Sequence, residues 1–190
     1  MSHDSVLSAL KELLRHDLLT LPPKEQREHV ANESDRTAII LIGAMVERFV
    51  LEALINLMGN ANADEQSRIF NYEGPCGSFA NRIRLAHALG LFDRPTKRSV
   101  EIVKEMRNAA AHCVAPLSFE TPAIRAAVAQ LVPTEHREVT EKLDAEHLKR
   151  LFDRICARLN MMIIKPDETP PVEDMFYQAL GEGWRNFGAA

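Results

Sequence analysis

The sequence is poor in the features that commit a chain to a specialised class. Its three cysteines, Cys76, Cys113 and Cys156, are widely spaced, odd in number and form no C-x-x-C pair. That pattern excludes a zinc ribbon and a disulfide scaffold, and leaves each thiol as a small apolar residue. Basic residues are not in surplus: 23 Lys and Arg face 27 Asp and Glu, for a net charge of −4. A chain of that balance does not grip duplex DNA through many phosphates, so direct sequence-specific DNA binding is not expected. The longest apolar run, residues 38–46 with Gly43 counted as neutral, falls far short of the roughly 20 residues that cross a bilayer. The opening Met1-Ser2-His3-Asp4-Ser5 lacks the basic-then-apolar pattern of a secretion signal, and the expected location is the cytoplasm. Neither H-E-x-x-H nor G-x-G-x-x-G nor a P-loop occurs, so no metal and no cofactor is expected.

What is present is an ordinary globular balance, 46% apolar and 26% charged, arranged almost throughout with helical periodicity and without an alternating strand. A first helix is predicted over residues 5–19, with Leu7, Leu10, Leu14 and Leu18 in one stripe. A second, the longest, starts near Lys24 or Ser34 and runs to Met58, and its stretch 37–46 is apolar on every face. Such a helix is covered from several sides, in the middle of a bundle. A short piece around 64–70 and a turn-rich segment 71–77 lead to Ser78, the cap of a helix over 79–89 that ends at Gly90. Thr96 is expected to cap a helix over 97–112, Thr121-Pro122 opens a short one, and the last long helix covers about 144–163. The fold class that follows is all-α, a helical bundle built round a long central helix. Residues 1–164 are predicted to form one domain, with 165–190 as a proline-containing linker and tail whose Phe176, Tyr177, Trp184 and Phe187 pack back onto the body or onto a second copy.

The segment richest in chemistry is Glu105-Met106-Arg107-Asn108-Ala109-Ala110-Ala111-His112. Asn108 and His112, four apart, share one helical face, and Arg107 sits about 100° around from Asn108. A guanidinium holds a phosphate through two parallel bonds, and an imidazole moves a proton near neutral pH. Together they suit cleavage of a phosphodiester by its own 2′-hydroxyl, with His112 as proton carrier and Arg107 facing the charge on phosphorus, without a metal. The same residues near a helix end also suit a capping or ion-pair network, because His and Arg favour the C-terminal turn.

Three blocks resemble the mannitol operon repressor (MltR) family: Glu33-Ser34-Asp35-Arg36 leading to Glu47; Gly74-Pro75-Cys76-Gly77-Ser78-Phe79 followed by Arg82-Ile83-Arg84-Leu85-Ala86-His87; and Ile102-Val103-Lys104-Glu105-Met106-Arg107-Asn108 ending in Ala111-His112. The resemblance spans about residues 33–119. It implies an all-helical bundle and a transcriptional regulator without a helix-turn-helix. The Arg-Asn-x-x-x-His element also resembles the R-x4-6-H signature of the HEPN superfamily, many of whose members are metal-independent ribonucleases, toxins or nucleic-acid-associated modules, usually dimeric. On that resemblance Arg107, Asn108 and His112 would be catalytic, with Glu47 as an acidic partner. The chain departs from the usual pattern at Ala110, where a larger aromatic is common.

Two further features are less specific. Residues 74–78 before a helix suit either an anion cradle or a tight turn. Seven basic against three acidic residues lie between Arg82 and Arg107, so Arg82, Arg84 and Lys104 mark a possible anion or partner surface. Three functions are therefore expected: an MltR-like regulator acting through protein–protein contacts, a HEPN-type endoribonuclease or toxin-like RNA-binding protein, or a structural helical dimer. A homodimer and a protein partner are expected, with RNA possible and no membrane.

Overall fold

A computed structural model describes residues 20–181, and these are helical with no strand among them. They divide into two units between Glu33 and Ser34. The helix predicted over 5–19, Trp184 and Phe187 lie outside the described residues.

In the first unit, α1 spans Pro23–Asn32, opened by a proline in its first turn and ended by Glu33 in extended backbone. The two starts read for the second helix thus belong to two helices, one on each side of Glu33.

In the second unit, α2 spans Asp35–Leu57, with the Ser34 hydroxyl accepting the Thr37 amide at 3.2 Å. It buries Ile39, Ile42, Val46, Val50 and Leu54 along one broad face, whereas Ala44 in the all-apolar stretch is exposed and Ile40, Leu41 and Met45 are half-buried, so the helix is not covered on every side. It packs against α4 (Phe79–Ala88), α5 (Arg94–His112) and α8 (Ala145–Ile164). Between α2 and α4 lies α3 (Ala63–Phe70), which opens with a reciprocal capping box between Asn62 and Glu65. After α5 come α6 (Pro122–Gln130), the short α7 (Arg137–Glu141), α8 and α9 (Val172–Leu180).

Two expectations need correction. Helix α5 starts three residues earlier than predicted, because Asp93 rather than Thr96 is its cap: the Asp93 carboxylate accepts the Thr96 amide at 2.8 Å, and Thr96 itself is buried in the first turn. Pro95 is no barrier there, since first-turn amides have no helical acceptor. The second correction concerns the tail. Residues 172–180 are the helix α9, packed against α8 and burying Met175, Phe176 and Ala179, while Tyr177 stays partly exposed. No helix among the described residues is long and apolar enough to cross a membrane.

Candidate functional site

Where α2 crosses α5, the stem of Arg107 lies across Gly43: a Cβ built on Gly43 would stand 2.7 Å from Arg107 Cβ and 3.1 Å from Cγ. The absent side chain is what lets Arg107 run along α2 toward Glu47, one helical turn beyond Gly43. There Arg107 Nη2 donates to Glu47 Oε2 at 2.5 Å. Arg82, from α4, donates through Nη1 to the other carboxylate oxygen at 3.3 Å. The Arg107 guanidinium carbon also stands 5.8 Å from the centroid of the Phe79 ring, within cation–π range. Arg107 Nε is buried without a hydrogen-bond partner. One carboxylate thus bridges two guanidiniums, and the Arg107, Glu47 and Arg82 side chains are only 26%, 22% and 12% exposed.

Arg82 does more than neutralise. Its Nε donates to the Cys76 carbonyl at 2.9 Å, and its Nη2 to the carbonyls of Phe70 at 3.0 Å and Gly77 at 3.1 Å. The guanidinium therefore ties the end of α3 and the 71–77 turn to α4. Amides of that turn are spent on it and on the end of α3: Gly74 donates to Asn71, Gly77 to Gly74 and Cys76 to Ile69. At Gly74 a Cβ would lie 2.5 Å from backbone oxygens of α3. The segment 74–78 is accordingly a tight turn folded on an arginine, and the anion-cradle reading falls away. Arg82 likewise leaves the anion surface assigned to it, since its donors point inward.

The remaining candidates lie elsewhere. His112 is the last residue of α5 and is exposed. It follows Arg107 by five positions, about 140° around the helix, so the two side chains leave α5 in different directions. Asn108 is half-buried on the same stretch of α5 as Glu105. Glu105 is held below the usual glutamate range by its hydrogen bond from Lys104 above all, with Asn108 adding to it. Lys104 reaches Glu105 at 2.5 Å, and the exposed Arg84 donates to Asn81 Oδ1 at 3.0 Å. Of the four residues assigned to catalysis, Arg107 and Glu47 meet, while Asn108 and His112 stand apart from them.

Gly43, Phe79 and the bridging part played by Arg82 escaped the sequence reading. A glycine in the apolar middle of a helix, one turn before a glutamate, was the available signal, but it does not say which residue crosses it. Ala110, which departs from the HEPN pattern, is fully buried on the inner face of α5. No family model, curated protein or solved structure matches the chain.

Proposed function

We propose that this protein is a non-catalytic regulatory module, similar to the mannitol operon repressor family, that acts through contacts with other proteins. The observation that carries this reading is the commitment of Arg107 to Glu47. A ribonuclease of the HEPN kind needs that guanidinium turned toward a phosphate beside the histidine. Here it is three-quarters covered and bonded to a half-buried carboxylate. Freeing it would strand Glu47 with Arg82 alone and break a half-buried ion pair. A net negative chain also favours protein over duplex DNA as the object of binding.

The competing ribonuclease reading is tested directly. Purified protein is incubated with single-stranded RNA in EDTA, beside His112→Ala and Arg107→Ala. The expected result is no cleavage by any of the three proteins. Cleavage by the parent that either substitution abolishes would overturn the proposal. A gel shift with operator-like DNA is expected to show no tight, salt-sensitive, sequence-dependent complex, and such a complex would overturn the indirect mode of action.

A further inference from the structure

Away from Arg107, on another side of α5, a groove of about 870 Å³ runs between α5 and α6. It extends along α5 from Pro95 to Ala109, about 21 Å at the helical rise. Its walls are apolar and small: Ile102, Met106 and Ala109 from α5 face Ala123, Ile124 and Ala127 from α6. At the Pro95 end it adjoins a recess of about 140 Å³ lined by Ile155, Leu159, Met162 and Met175. Arg158 and Val172 line both spaces. A recess of that size takes one leucine or one aromatic ring.

Three arginines and two glutamates line this groove, and two of the arginines are the charges left over. Arg98 and Arg137 are exposed on its lining and have no ion pair or hydrogen bond among the described residues. Arg158 lies at the mouth of the recess, held by the Pro170 carbonyl at 3.0 Å through Nε and by Met162 Sδ at 3.1 Å through Nη1. Burial lowers its affinity for the proton, and the nearby Glu173 opposes this. The groove's two carboxylates are already engaged from outside it: Glu101 with Lys97 at 3.7 Å and Glu105 with Lys104 at 2.5 Å. Three guanidiniums therefore gather round an apolar trough whose own acids are occupied.

We infer that the α5–α6 groove is the docking site for an acidic amphipathic helix of a partner protein. Such a helix lays its apolar stripe on the alanine-lined floor, places one leucine or phenylalanine in the recess, and sets carboxylates against Arg98, Arg137 and Arg158. The length of the trough, about four helical turns, suits a helix better than a compact metabolite. The small side chains of Ala109, Ala123 and Ala127 let its backbone approach closely, and the unpaired arginines fix the sign of its charge. This assignment rests on the protein-contact reading above and names the surface and the chemistry of its partner.

The test uses a fluorescein-labelled helical peptide of about fourteen residues, with leucines at i, i+3, i+4 and i+7 and glutamates flanking them. Anisotropy should report saturable binding by the full chain, with no binding of the same peptide carrying lysines for glutamates. Arg98→Glu with Arg137→Glu, both exposed and remote from the core, should weaken it about tenfold or more. Ala126→Trp, which crowds the groove from an exposed position, should do the same without lowering Tm. Methyl resonances of Ile102, Met106 and Ile124 should shift on titration. No binding, equal binding of the lysine peptide, or binding untouched by these substitutions overturns the groove and leaves the protein-contact reading standing. His112-dependent RNA cleavage overturns that reading instead, whatever the peptide does.

Discussion

Gly43 and Arg107 are matched across the α2–α5 crossing: the glycine leaves the space that the aliphatic stem of the arginine fills, and Glu47, one turn on, receives its charge. The neighbour a new Cβ would meet at 2.7 Å is the Cβ of Arg107, fixed to the backbone of α5, so rotation of a side chain cannot relieve the clash. Gly43→Ala should therefore destabilise, although alanine favours helix by up to about 1 kcal/mol. Overpacking costs about 1–3 kcal/mol, and a lower Tm by circular dichroism is the expected outcome. A rise in Tm would show that the helices part freely.

The Glu47–Arg107 pair should be coupled. Glu47→Ala or Arg107→Ala alone is expected to cost about 1–3 kcal/mol, below the range for fully buried pairs because both side chains keep some solvent. Glu47→Ala combined with Arg107→Ala should cost less than the two single losses together, since neither member of the pair is then left alone. Arg82 keeps three carbonyl acceptors in every variant. Additive losses in urea melts would remove the coupling.

Acid should loosen α5 and α8 at their first turns. Asp93 is held below the usual aspartate range by hydrogen bonds from the Thr96 side chain and amide, and Asp144 by those from the His147 amide and ring. A carboxylate whose pKa is lowered by folding contributes stability that is present above the unfolded value and lost as pH falls through the folded one, so the loss belongs below about pH 4. Asp93→Asn should keep the cap and flatten that part of the pH dependence, whereas Asp93→Ala should cost about 1 kcal/mol at neutral pH. Parallel pH profiles of parent and Asp93→Asn would count against the assignment.

Thiol reactivity should separate the cysteines. Burial pushes the Cys156 thiol well up, and Asp153 adds to the effect, whereas Cys76 and Cys113 are half-buried. A thiol reagent at mild alkaline pH should label Cys76 and Cys113 in the native protein, and Cys156 only after denaturant is added. Early labelling of Cys156, read by mass spectrometry, would contradict the packing of α8.

Local signals in the sequence reached as far as local physics does. Ser78, read as a cap, is hydrogen-bonded as one, and Ser34 and Asp144, read only as helix starts, are caps too, because a short polar side chain before an apolar run satisfies amides within three residues of itself. Of the apolar stripe of α8, with residues at three- and four-residue steps, Leu148, Leu151, Phe152, Ile155 and Leu159 are buried where that spacing placed them, and Met162 at its end is half-buried. Asp93 does not stand out in the sequence because Pro95-Thr96 also resembles a helix start. Helix α9 does not stand out because Met175, Phe176 and Ala179 give only about one turn of pattern after two prolines.

The chain order alone determined the helices and the apolar faces they turn inward, because both follow from neighbours within four residues. It also placed Arg107 and His112 about 140° apart on one helix, though their appeal as a pair obscured this. What each polar group meets was decided only when helices crossed. Glu47 is 60 residues from Arg107 and 35 from Arg82, and no periodicity links them. The α5–α6 trough likewise exists only between two surfaces. A charge's partner depends on which backbone passes within a few ångströms, and packing settles that through shape, as at Gly43.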